Sequence, residues 1–312
     1  MSLPLELVVY VHGVSNDLCG RRHTPEYEAM HKGVAARNPA WPSKYVGVEW
    51  GWNHDGGEAK SHQLLTEAQR HLGARALHGV TAPWDFTLNP ARSVVNSMRP
   101  LMIYGFADIF YYVSADGKKA VRGAVATQIA DFIRSETGGD ETTLISLTML
   151  GHSAGSVVCF DFLFYLFCAR GHVYLDRSDP GYEAAKWLRE LAQGAEKRLR
   201  LRRLITFGSP ITMLACRSDP VLGILARGNG LDPRDYGLAS NWAVGQPLSG
   251  ARWINLWDRD DPIGWPVEPL MADVGDEPMV EDVYADVSDA ITAAHDKYWR
   301  SRFVHRTIGE KW

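Results

Sequence analysis

The sequence predicts an α/β protein with a mostly parallel central sheet and helices on both faces, and three observations carry that expectation. Short runs rich in β-branched and aliphatic residues recur at 5–11 (LELVVYV), 45–52, 142–150, 203–207 and 252–257, as buried strands do. Between them lie longer stretches with apolar residues at helical spacing, and parallel strands need such crossovers. The third is size: 312 residues, 46% hydrophobic and 22% charged, suit one large domain of ordinary globular composition. No internal repeat and no domain linker stands out, so a single domain over 1–312 is expected.

The elements follow in order. The first strand, 5–11, runs into His12-Gly13-Val14. Residues 25–37 read as a helix closed by Asn38-Pro39. A second strand occupies 45–52, and a helix follows at 58–78, with Leu64, Leu65, Ala68 and Leu72 at helical spacing. Residues 81–117 break the alternation with a Pro- and aromatic-rich insertion. Apolar positions 103, 106, 110 and 113 mark one helical face there, and the opposite face is hardly more polar. A helix that is apolar all round is buried or covers an apolar site, so core packing and a lid stand as equal readings. An amphipathic helix at 118–136 ends at Gly138-Gly139, before the strand at 142–150.

The stretch 156–170 (SVVCFDFLFYLFCAR) is long and apolar enough for a buried helix, and 182–200 reads as a polar one. The basic run 197–203 (KRLRLRR) is taken as a solvated helix end leading into the strand at 203–207. Residues 214–250, rich in Gly, Pro and Asn, have little periodicity and read as a surface loop or cap. A strand at 252–257, another within 279–287 and a helix from about Asp296 close the order.

Composition narrows the function classes. A net charge of −4 leaves no basic footprint for nucleic acid. Residues 1–14 lack the features of a signal peptide. The longest apolar stretches, 156–169 and 100–113, are too short to span a bilayer and each carries an aspartate, so no stable membrane insertion is expected. Cys19, Cys159, Cys168 and Cys216 form no CxxC pair, which fits free thiols in a reducing cytoplasm.

The chemistry centres on Gly151-His152-Ser153-Ala154-Gly155. Such a pentapeptide is weak evidence alone, but here it stands between a strand and a buried helix. In that setting the serine sits on a strained turn, and glycines on either side let strand and helix approach. A serine hydroxyl needs a base to take its proton and a third group to orient that base. In open α/β sheets the working residues gather at the carboxyl ends of strands. The strand at 252–257 ends in Asp258, Asp260 and Asp261, and of the eleven histidines only His172, His295 and His305 follow Ser153. If the sheet is of the hydrolase type, the chain order is Ser, acid, His, which leaves His295 and His305. His295, at a loop-to-helix junction, is the expected base, and His305, within the last helical stretch, is expected to be structural. Asp261 is preferred as the acid because Pro262 makes its exit rigid. Asp260 comes second, and solvation or a salt bridge with Arg259 is the alternative for the aspartates not used. The aspartates lack the convergent spacing of a cation site. The N–H groups of Ala154 and Val14 are the expected oxyanion donors, and His12 is expected to shape its loop. Trp50, Trp52 and Trp265 follow strand ends, and none can be assigned to substrate.

Five stretches, VVYVHGV (8–14), LTMLGHSAG (147–155), LITFGSPI (204–211), WINLWDRDDPIG (253–264) and AHDKYW (294–299), resemble the α/β-hydrolase superfamily in its lipase and esterase branch. They are similar to class-3 lipases and to bacterial serine esterases of the GPI-inositol-deacylase type. The resemblance implies an α/β-hydrolase fold and a Ser-Asp-His hydrolase of carboxylic esters, acting on a small-molecule or lipid ester without a cofactor. Two departures stand out: the sheet is expected to begin at the oxyanion strand, and the loop reads HGVSND where some esterases have HGGG. A thioesterase or amidase with the same residues, and a scaffold retained for binding, are the alternatives.

Overall fold

In the computed structural model, strands β1 (Leu5–Val11), β2 (Lys44–Val48), β3 (Ile145–His152), β4 (Leu199–Phe207), β5 (Trp253–Trp257) and β6 (Val280–Tyr284) form one sheet. Their order is 2-1-3-4-5-6 and every neighbouring pair is parallel. The structure describes residues 4–13, 23–50, 112, 114–140, 142–169, 173–238, 252–273, 279–288 and 291–312. The expected helix at 58–78, most of the 81–117 insertion, and residues 239–250 of the expected cap lie outside them.

The helices are α1 (Thr24–Ala35), α2 (Ala115–Thr137), α3 (Ala154–Phe167), α4 (Tyr182–Gln193), α5 (Ile211–Ala215), α6 (Asp219–Leu225), α7 (Ile291–Lys297) and α8 (Arg302–Lys311). Along β1, successive side chains point to opposite faces, and both faces are covered. Val9 and Val11 join a core with Val125 and Ile129 of α2, Phe162 of α3 and Leu188 of α4. Val8 and Tyr10 join a second core with Tyr27 and Met30 of α1 and Val304 and Ile308 of α8. Every residue of β3 is buried, including Ser146, Thr148 and His152, as expected of a strand covered on both faces. Each of its large apolar side chains, Ile145, Leu147, Met149 and Leu150, contributes roughly 1.5–3 kcal/mol through burial.

Capping fixes the ends of α2. The Ser114 hydroxyl accepts a hydrogen bond from the Gly117 N–H at 3.1 Å, and Gly138 closes the helix at φ 57°. The 114–117 part of the expected insertion is therefore the start of this helix. Arg122 of α2 donates to both carboxylate oxygens of Asp161 on α3, at 2.7 and 2.8 Å, and the Tyr112 hydroxyl donates to the same carboxylate at 2.7 Å. The lone aspartate of the apolar helix thus ties α3 to its neighbour.

Two expectations are corrected. The basic run is not a helix end: α4 stops at Gln193, and 199–203 already belong to β4. The register between β3 and β4 shifts after Leu147–Leu201, so that Thr148 faces Arg203 and Arg202 is the extra residue of a bulge. Leu199 and Leu201 face the first core, and beyond the bulge Leu204 takes over that face. Arg202 lies over the Trp312 ring at 4.0 Å and pairs with Glu6 at 3.3 Å. Arg203 is buried, and desolvation, then Arg202 and Arg252, pull its pKa down to about 10. The second correction concerns 214–238, which holds the end of α5, all of α6 and a 3-10 turn at Pro233–Tyr236. Segments this short have too few turns to show a period in sequence.

Strand order positions everything that follows. The chain leaves β1 toward β2, then returns past β1 to β3 and continues the other way through β4, β5 and β6. The order reverses between β1 and β3, and at such a point the connections part and leave a crevice at the carboxyl ends. No described helix is long and apolar enough to cross a membrane.

Candidate active site

Ser153 stands at that crevice, between the last residue of β3 and the first of α3. Its backbone has φ 54° and ψ −129°, a region costly for a residue with a Cβ, on the order of 1–3 kcal/mol. Surrounding bonds hold it there: the Ser153 N–H donates to the Phe207 carbonyl at 3.1 Å, and the Ser153 carbonyl accepts from Ser156 N–H at 2.9 Å. Gly155 lets α3 meet β1, since a methyl group there would stand 2.3 Å from the carbonyl oxygens of Val11 and His12. A methyl group on Gly13 would stand 2.4 Å from Ser153 Cβ, so the β1 loop can lie against the serine only as glycine. Ser153 itself is 2% exposed.

Ala154, also buried, opens the fourteen-residue α3. Its N–H has no acceptor within the helix and lies at the positive end of the helix dipole. Val14, the other expected oxyanion donor, lies outside the described residues. His12 shapes the β1 loop as expected. Its Nε2 accepts from Trp50 N–H at 3.2 Å, so the Nδ1–H donates to the Gly13 carbonyl. Burial, followed by the neighbouring His23, holds its pKa well below the usual histidine value.

The three aspartates after β5 part company. Asp261 is buried, and both its carboxylate oxygens lie 3.0 Å from His295 Nδ1. The Ile263 N–H donates to Oδ1 at 2.9 Å. Burial pushes this carboxyl up, but the His295 hydrogen bond and charge and the Ile263 N–H outweigh it, and its pKa sits below the ordinary value. Asp258 is fully buried and accepts from the N–H groups of Asp260 (2.9 Å), Val287 (2.7 Å) and Ser288 (3.3 Å). It is neither solvated nor paired with Arg259, the two roles expected of an unused aspartate, but pins the 287–288 segment that leads to α7. Asp260 is partly exposed and lies 3.8 Å from Arg259.

His295 is not at a loop-to-helix junction but is the fifth residue of α7. With Asp261 at Nδ1, the ring's proton is fixed there and the Nε2 lone pair is left to accept. Nε2 is buried and has no hydrogen-bond partner among the described residues, a state that ordinarily costs about 1–3 kcal/mol. The Tyr298 phenol lies beside Asp261, and burial, then that carboxylate, raises its pKa, so it stays protonated. His305 has a structural bond instead, its Nε2 2.9 Å from the Trp299 carbonyl.

His152 joins the two halves of the site, a role its place in the motif did not disclose. Its Nε2 lies 2.7 Å from the main-chain carbonyl of His295, and the two rings are 4.7 Å apart. The bond spans 143 positions of sequence, and only the fold brings its ends together. Ser153 and His295 are thereby linked through one peptide and one ring contact, and no hydrogen bond joins Ser153 Oγ to His295 Nε2. A cavity of about 610 Å³ lined by Phe164, Leu231 and Tyr236 is elsewhere, about three turns along α3 from Ser153. Among the described residues no cluster of His, Cys, Asp and Glu is placed to hold a metal ion.

The geometry ranks the aspartates by expected effect. Asp261→Asn should lower turnover by about ten-thousand-fold, because an amide in that place favours the wrong imidazole tautomer and stabilises no positive charge. Asp260→Asn should change it less than about threefold, as expected of a partly exposed pair. Steady-state kinetics of the two variants decide the matter, and equal losses would remove Asp261 from its special place.

No family model matches the chain, and no curated protein matches it.

Proposed function

We propose that the chain is a serine hydrolase of α/β-hydrolase type that cleaves carboxylic esters through an acyl-enzyme. The observation that carries this reading is the buried Asp261–His295 pair with its unpartnered Nε2, linked through His152 to a serine held at positive φ. Ser153 Oγ attacks the acyl carbon while its proton passes to His295 Nε2. The new Oγ–C bond forms as the carbonyl electrons move onto oxygen, and the Ala154 N–H meets the oxyanion, with Val14 as the expected second donor. Collapse expels the alkoxide, which takes the proton from His295, and water then repeats the cycle on the acyl-serine. Asp261 keeps the imidazole in one tautomer and stabilises its charged form. One oxyanion donor is worth about 100- to 1000-fold in rate. The buried setting of Ser153 suits a compact acyl group enclosed during reaction. The free thiols Cys159, Cys168 and Cys216 suit a reducing compartment, and the cytoplasm is the proposed location.

A fluorophosphonate probe tests the assignment directly. The expected result is one labelled peptide, containing Ser153, with parallel loss of p-nitrophenyl ester hydrolysis. A folded chain that hydrolyses esters yet labels elsewhere, or does neither, would overturn it. A panel of esters, thioesters and amides then identifies the acyl bond.

A further inference from the structure

We infer that His152 is a positioning residue: the hydrogen bond from its Nε2–H to the His295 carbonyl ties the base to the nucleophile turn and sets their separation. The inference rests on reading Ser153 and His295 as nucleophile and base.

His152 is the last residue of β3, in register with Phe207 on β4. Its ring is enclosed by Phe207 at 5.3 Å, Trp299 at 5.6 Å and Tyr298 at 6.0 Å. An apolar ring would fill that enclosure equally well. What histidine adds is one N–H, 2.7 Å from the carbonyl of the catalytic candidate. That carbonyl needs a donor. It lies in the last turn of α7, which passes directly into a 3-10 turn at Tyr298–Arg300, and where an α-helix ends or tightens its carbonyls lose i+4 partners. With seven residues, α7 is also too short to hold its own shape and depends on tertiary contacts. Asp258 secures the segment before it, and His152 secures the residue that matters.

The strut stays uncharged. Burial, then the neighbouring His295, pulls the His152 pKa down to about 3, against a smaller upward pull from the His295 carbonyl and Asp261. The groups that face it are His295 and Asp261, the Tyr298 phenol, and more distantly His12 and His23. A neutral donor binds the carbonyl without setting a second positive charge beside His295 when that ring takes the serine proton. The ring contact also limits rotation of the His295 imidazole about its Cβ–Cγ bond.

A misplacement of about 1 Å can cost on the order of 100-fold in rate, and this sets the size of the expected effect. His152→Gln places an amide N–H close to the position of Nε2, whereas His152→Met has nearly the same length and no donor. The Met variant should lose about 100-fold in kcat with KM within about threefold, because ground-state binding does not use the strut. The Gln variant should recover to within about tenfold of the parent. A folded Met variant with near-parental kcat, or Gln and Met variants losing equally, would overturn the inference. If the Met variant fails to fold, His152→Phe, which keeps the ring and lacks the donor, makes the same comparison. A second readout is the NMR signal of the His295 Nδ1 proton shared with Asp261. It should persist in the Gln variant and exchange away with water in the Met variant. Should the parent chain show no Ser153-dependent turnover, this signal still decides: loss in Met alone upholds the strut while the hydrolase reading falls. Identical signals in both variants remove the strut.

Discussion

Replacing Ser153 with alanine is expected to lower ester turnover by about a million-fold, the loss seen when the nucleophile of an interdependent catalytic set is removed. The substitution takes away one oxygen and keeps the Cβ against which Gly13 is packed. Both main-chain bonds of residue 153, to Phe207 and Ser156, remain available to alanine. The fold should therefore persist, and residue 153 should keep its positive φ, because the same main-chain bonds hold it and the strain of a Cβ there is common to serine and alanine. Burst kinetics with p-nitrophenyl esters measure the loss, and calorimetry checks that melting changes little. Activity near that of the parent in a clean preparation would remove Ser153 as nucleophile. A large fall in melting temperature with modest loss of activity would make the turn structural instead.

The parts of this site that local pattern dictates were legible in the sequence. A strand rich in aliphatic residues, a Gly-x-Ser-x-Gly turn and a largely apolar helix are contiguous, and they appear as β3, Ser153 and α3 with boundaries shifted by two or three residues. Asp261 was also readable, because proline directly after it restricts the backbone and the carboxylate follows a strand end. Its neighbour Asp258 was not, since its burial under Val287 and Ser288 depends on a segment some thirty residues further on. The β4 bulge was hidden for a different reason. Paired Arg202 and Arg203 break the two-residue alternation, and without the partner strand nothing says that the alternation resumes with the opposite phase. The helix α7 and the His152–His295 bond lie further still from local reading. One is too short to declare a period, and the other joins residues that only a parallel six-stranded sheet brings together.

His295→Ala should be as damaging to turnover as the serine change, on the order of a million-fold, while His305→Ala should leave turnover within about tenfold. The two histidines differ in what their ring nitrogens do. His305 spends Nε2 on the Trp299 carbonyl within the same stretch of chain, so its removal loosens α8 without reaching the crevice. His295 spends Nδ1 on Asp261 and keeps Nε2 unpartnered. Its removal also leaves Asp261 as a buried carboxylate with the Ile263 N–H as its remaining strong donor, an uncompensated charge that typically costs about 3–5 kcal/mol. Stability should then carry a pH signature. In the parent, Asp261 has a lowered pKa, so its contribution is present above the unfolded carboxyl value of about 3.9 and is lost as pH falls through the folded value. In the alanine variant the His295 bond and charge are gone and burial dominates, which raises the folded pKa above the unfolded one. That variant is least stable, relative to the parent, near neutral pH and recovers as acid protonates the carboxyl. The gap in melting temperature should thus narrow between pH 7 and pH 4. A constant gap would mean that Asp261 does not sense His295, and a million-fold loss at position 305 in place of 295 would move the base to α8 and undo the geometry proposed for Ser153.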